Sequence, residues 1–200
     1  MTQNTSTAVM QRRVEPHDSL DDFPTPPWAT RALCEQIDCA GLTVREPAAN
    51  RGHMVKPLSE YFDSVEASDI HDYGVGYMVQ DYLFPYSMET VDWTITNPPF
   101  RLAAQFIARA LDTSRTGCAV IVRSAFLEGI DRYETLYKST PPTRFMQFAE
   151  RVPMVKGKID PDVASATAYC WLIWEKDKPR QPLEWIPPSR KRLERAEDYL

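Results

Sequence analysis

Val91-Asp-Trp-Thr-Ile-Thr-Asn-Pro-Pro-Phe100 is the stretch that decides the fold. Val91 to Thr96 reads as a buried strand, and it runs straight into two consecutive prolines. Each proline removes a backbone donor and fixes φ, so pairing stops there and the chain leaves the strand on a stiff path. In an open α/β sheet, ligands sit beyond the carboxyl ends of the strands, which is where Asn97, Pro98, Pro99 and Phe100 fall. A backbone stiffened in this way can aim a carbonyl and the Asn97 amide oxygen at one group. An exocyclic NH2 has two hydrogens to give, so two acceptors hold it and turn its lone pair toward an electrophile. Phe100 can stack on the ring that bears the amine. These four residues are the catalytic candidates.

Reading outward, Leu102, Phe106 and Ala110, flanked by Ala103, Ile107 and Leu111, give the broad apolar face of a buried helix. Cys118 to Val122 is a continuous apolar run of the kind a central parallel strand shows. Asp131 to Tyr137 reads as helix, and Thr143–Phe148 and Ala168–Trp174 as two more strands around a polar loop. With only a loop between them, the last two strands are expected as an antiparallel edge pair. Toward the N-terminus, Leu42–Glu46 and Ser64–Ser68 are strands, 70–90 is mostly loop, and a helix spans about Val55 to Phe62. A further helix is expected with Thr25 as its cap, Pro26 as its first residue, and a stripe of Trp28, Ala32, Leu33 and Ile37. The order predicts an α/β domain: a mostly parallel twisted sheet with an antiparallel edge strand and helices on both faces. Residues 1–22 read as a flexible tail, 23–186 as one catalytic domain, and 187–200 as a charged C-terminal tail.

Two other strand ends carry unusual residues. Glu46-Pro-Ala-Ala-Asn-Arg-Gly52 pairs small residues with a following helix start, a place where backbone can approach an anionic group closely. A plain strand-to-helix turn reads the same way. Asp69 closes the next strand 23 positions after Glu46, near the offset at which an acid holds ribose hydroxyls in nucleotide-binding units.

At 200 residues the chain is the size of one domain. It is 43% hydrophobic and 26% charged, which is globular composition, and no apolar run is long enough to span a membrane. The N-terminus lacks the basic and apolar regions of a secretory signal. Four cysteines without C-x-x-C spacing point to reduced thiols and no zinc site, so a cytoplasmic protein without metal is expected. A net charge of −5 offers no broad basic face for duplex DNA, although Arg144, Arg151, Lys156 and Lys158 gather in one stretch.

Asn97-Pro-Pro-Phe100 resembles the catalytic motif of the S-adenosylmethionine-dependent amino-methyltransferases, above all the small phage-type enzymes that methylate adenine N6 in DNA. Glu46 to Gly52 resembles their cofactor turn, and Phe23-Pro-Thr-Pro26 is similar to their N-terminal cofactor clamp. Asp69 matches the ribose acid, and Asp81 with Tyr82 the segment around the cofactor's adenine. The resemblance covers roughly residues 21–186. It implies a Rossmann-like methyltransferase fold and S-adenosylmethionine held by Phe23, Thr25, Pro26, Glu46, Pro47, Ala48, Asn50, Gly52, Asp69, Asp81, Tyr82 and Asn97. Loop residues Phe126 and Lys158 join Phe100 as expected substrate contacts. DNA is the expected partner, single-stranded or loosely read, with a second copy of the chain as a candidate helper. Methylation of an RNA base or a protein glutamine, or a silent cofactor-binding module, are the alternatives. Asn50 departs from the glycine usual in the turn, though Asn tolerates a left-handed backbone. No separate recognition domain is expected, because the 51 positions from Glu46 to Asn97 are all needed for the sheet.

Overall fold

A computed structural model of the chain describes residues 20–163 and 165–199. Its eight strands are β1 (Thr43–Glu46), β2 (Ser64–Asp69), β3 (Met78–Val79), β4 (Val91–Thr96), β5 (Ser114–Arg123), β6 (Arg144–Phe148), β7 (Tyr169–Glu175) and β8 (Glu184–Ile186). They form one sheet in the order β3-β2-β1-β4-β5-β7-β6-β8. All neighbours pair in parallel except β7, which runs antiparallel to both β5 and β6. The antiparallel strand thus sits at the expected end of the sheet, inserted between β5 and β6. Short β8, which carried no legible strand signal, lies outside β6.

Period-two alternation divides the core into two layers. On β5, Ala119 and Ile121 face one layer while Cys118, Val120 and Val122 face the other, and β7 sorts Trp171 and Ile173 from Cys170, Leu172 and Trp174 in the same way. Helices α1 (Pro27–Cys34) and α2 (Val55–Tyr61) cover the first layer, where Trp28 meets Phe148 edge-on at 5.7 Å between ring centroids. Helix α3 (Ala103–Thr113) covers the second with Ala103, Ile107 and Ala110. All four cysteines are free and buried. No helix among the described residues is long and apolar enough to cross a membrane.

Three local expectations are corrected. Thr25 does not cap α1: Pro26 takes the cap position, Pro27 is the first helical residue, and no side chain caps the end. The helix also stops before Ile37, which packs against the core from the following turn. The segment after 187 does not project as a charged tail. It folds back as α4 (Arg190–Leu193) and a final turn, Ala196–Tyr199, with Leu193 and Asp198 buried. The reason is Arg31, 2% exposed on α1, which needs counter-charges. Its Nη1 and Nη2 donate to the two Asp198 oxygens at 2.8 and 2.9 Å, Nη1 also to the Leu193 carbonyl at 2.8 Å, and Nε to Glu60 at 2.9 Å. Of the expected N-terminal tail, residues 1–19 lie outside the described residues, while 20–22 are built into the site below.

Candidate active site

The carboxyl ends of β1, β2 and β4 meet. Glu46, fully buried at the tip of β1, accepts from Thr96 Oγ1 at 2.6 Å and from Ala48 N at 2.9 Å through the same Oε1, tying the cofactor-like turn to the strand that carries Asn97. Asp69, at the tip of β2, accepts from Asn50 N at 2.8 Å and His71 N at 2.9 Å. Asn50 has φ of 50°, the left-handed conformation that asparagine tolerates, and its Nδ2 donates to Asp22 Oδ1 at 2.6 Å. Gly52 has φ of 87°, and a Cβ there would run into the Tyr77 hydroxyl, so the turn needs glycine at that point.

These turns form one wall of a cleft of about 740 Å³, measured to its open mouth. Phe23, Thr25, Pro47, Ala48, Asn50, Asp69, Asp81, Tyr82 and Asn97 all line it, together with Pro99. Glu46 and Gly52 stand behind the turn and shape it, while Pro26 is occupied as the helix cap. Tyr82 is buried against Phe106 at 5.0 Å and closes the far end. Seven buried side-chain polar atoms find no partner among the described residues, and two of them belong to this region, Glu46 Oε2 and Thr25 Oγ1. Burial pushes the Glu46 carboxyl up to about 8, against the lowering effect of its bonds from Thr96 and Ala48. Its pKa lies above that of an unfolded glutamate, so the stability it supports is full below about pH 4.5 and is lost as pH rises through 8. Glu46→Gln is therefore expected to flatten the decline in melting temperature between pH 5.5 and 8.5, a difference of a few kcal/mol at the alkaline end. Parallel declines in both proteins would show that Glu46 is not buried with its charge opposed.

Asn97 belongs to two clefts. On its other side lies a second, smaller space open to solvent, lined by Asp21, Phe23, Asn97, Pro98, Phe100, Arg123 and Tyr169 among others. The Asn97 Nδ2 donates to the Phe23 carbonyl at 2.9 Å and lies 4.0 Å from Met154 Sδ. The amide hydrogens are thus spoken for, and Oδ1 receives no hydrogen bond among the described residues. The Pro99 carbonyl accepts from Leu102 N at 2.9 Å as α3 begins, whereas the Pro98 carbonyl takes no described backbone donor. Phe100 is 40% exposed, with the Arg123 guanidinium 5.2 Å from its ring centre. Phe126, expected as a substrate contact, is instead buried behind Phe100, edge-on at 6.2 Å, and supports that ring. Lys158 lines neither cleft; it is exposed and paired with Asp160 at 2.7 Å. Asp21, Asp22, His53, Arg123 and Tyr169 were not singled out as site residues by the sequence. For the two aspartates the available signal was their position next to Phe23-Pro24; the other three depend on long-range packing. The described residues contain no cluster of His, Cys, Asp and Glu able to hold a metal ion.

No family model and no curated protein matches the sequence. Solved structures do. The modification subunit of a candidate type I restriction enzyme from Vibrio vulnificus aligns over 90% of this chain with a TM-score of 0.57 and 18% identity. This chain spans half the length of that subunit. A candidate RNA methyltransferase from Pyrococcus horikoshii aligns over 88% of this chain and 98% of its own, with a TM-score of 0.60 and 15% identity. Magnesium protoporphyrin IX methyltransferase from Synechocystis, with S-adenosylmethionine bound, covers 74% of this chain and 79% of its own at a TM-score of 0.53 and 13% identity. At such identities it is the architecture that is shared, and the fold of this chain is that of the Rossmann-like methyltransferases.

Proposed function

We propose that the protein transfers a methyl group from S-adenosylmethionine to an exocyclic amine, with N6 of adenine in DNA as the substrate. The observation that carries this is Asn97, set between two clefts with its NH2 tied to Phe23 and its Oδ1 left to accept.

The larger cleft fits the cofactor on three counts. Pro47, Ala48 and Ala49 leave room at the turn, Asp69 and Asp81 supply carboxylates at its rim, and Thr25 Oγ1, on a residue that lines the cleft, is a buried polar atom without a partner among the described residues. When bound, S-adenosylmethionine supplies an electrophilic methyl group on a sulfonium. Phe23, Thr25 and the 47–50 turn would hold it, with Glu46 fixing that turn from behind through Ala48 N. The remaining work is positioning. Asn97 Oδ1 and the Pro98 carbonyl accept the two amine hydrogens, point the nitrogen lone pair back across Asn97, and stabilise the positive charge that grows on nitrogen. Phe100, backed by Phe126, offers a face to the ring that carries the amine.

A base stacked and paired inside a duplex cannot present its amine to Asn97 and its face to Phe100, so it must be flipped out or supplied single-stranded. Neighbours named for restriction modification and for RNA methylation share the fold, so the choice of DNA rests on the resemblance of the motif order. Radiolabelled cofactor supplied with separate DNA, RNA and protein pools tests the choice, with label expected in DNA. For the cofactor, Asp69→Ala is expected to weaken binding by about 1–3 kcal/mol in calorimetry, because Asn50 N loses a charged acceptor and the turn loosens. Unchanged affinity would remove Asp69 from the site.

A further inference from the structure

Three consecutive residues ahead of α1 tie the two clefts together. Asp22 reaches the turn of the larger cleft: its carboxylate accepts from Asn50 Nδ2 at 2.6 Å and from Arg51 Nη1 at 3.1 Å. Its carbonyl accepts from Gly157 N at 2.8 Å, anchoring the loop beyond β6. Phe23 holds Asn97 through its carbonyl. Asp21 lines both clefts, and its Oδ2 accepts from the backbone N–H of Phe100 at 2.6 Å. Asp21 adopts φ of 51°, and the Phe23 N–H donates to its carbonyl at 2.9 Å, closing a tight turn. A side-chain-bearing residue in the left-handed region persists where its surroundings fix it, and here the turn aims the carboxylate at Phe100.

We propose that Asp21 is a positioning residue for the target. By accepting the Phe100 N–H it fixes the backbone that carries the stacking ring, and through Asp22 and Phe23 that order is shared with the cofactor turn. Phe100 follows two prolines that cannot donate, and it is exposed. Of the three residues after Asn97 only Phe100 has an N–H with which its backbone can be held from outside, and Asp21 takes it. A charge-assisted bond of this length is among the stronger ones available to a loop.

The inference rests on the proposed methyl transfer, and its test separates the two. Asp21→Ala and Asp21→Asn are compared with the parent by steady-state transfer to a single-stranded adenine-containing oligonucleotide, by calorimetric cofactor affinity, and by amide hydrogen exchange across 97–101. For Asp21→Ala the expected result is faster exchange at Phe100 and at least a tenfold loss of kcat/KM for the oligonucleotide, with a clearly smaller loss of cofactor affinity. Asp21→Asn keeps an acceptor oxygen and should recover most of both. Unchanged exchange at Phe100 in Asp21→Ala overturns the inference, whatever the activity. So does changed exchange with unaltered kinetics, or an equal loss of cofactor affinity and melting temperature that Asn does not restore. A parent protein that methylates nothing would instead fail the functional reading, and hydrogen exchange would still decide whether Asp21 orders Phe100.

Discussion

Asn97→Ala is expected to bind S-adenosylmethionine as the parent does and to transfer methyl groups 10²–10³ times more slowly, the usual cost of removing one contact made to charge developing in the transition state. The split between binding and rate follows from where the side chain sits. Asn97 lines both clefts, but its amide hydrogens are engaged by the Phe23 carbonyl and its oxygen is the group left to meet the amine. Losing the side chain frees one carbonyl of the clamp and removes one of two acceptors from the target. Single-turnover transfer with calorimetric cofactor affinity checks both halves. Transfer at the parent rate would mean that the Pro98 carbonyl alone holds the amine and that Asn97 has another purpose.

Asp198→Ala is expected to destabilise the fold by about 3–5 kcal/mol, because it leaves the Arg31 guanidinium buried with part of its donor set unmatched. Asp198 and Arg31 are each 2% exposed at the side chain, so water cannot substitute readily. Glu60 still holds Arg31 from its partly exposed side, which bounds the loss. Chemical denaturation of parent and variant gives the number; a change under about 1 kcal/mol would place the C-terminal turn outside the cooperative unit. A matched Arg31→Met, Asp198→Leu pair should recover much of the loss, since apolar side chains of similar size replace buried ion pairs well.

What the sequence disclosed was local. Strand β4 and its Pro-Pro stop, the continuous apolar run of β5, and the α3 stripe were readable because each is set by residues within one element. Asn50 and Gly52 were readable as a turn for the same reason, and both take positive φ. What stayed hidden depends on partners distant in sequence. Nothing near Arg190 to Tyr199 tells that Arg31 waits 167 positions away for Asp198. Short β8 is defined by pairing with β6 and not by its own three residues. Lys158 was expected at the substrate because its loop is an available wall, and a carboxylate two residues on claims it first. Phe126 was expected at the substrate as a loop residue; packing put the ring beneath Phe100. Asp21 and Asp22 looked like the end of a polar tail until the fold brought Phe100 and Asn50 to them.

In the proposed function an exocyclic ring amine receives the methyl group at Asn97. The most direct test is to incubate the protein with methyl-labelled S-adenosylmethionine and DNA, digest the DNA to nucleosides, and identify the product by mass. The expected product is N6-methyl-2′-deoxyadenosine, formed more readily on single-stranded than on duplex DNA. N4-methylcytosine, or label found only in RNA or protein, would contradict the substrate, and a labelled carbon or hydroxyl group in place of an amine would contradict the role of Asn97 altogether.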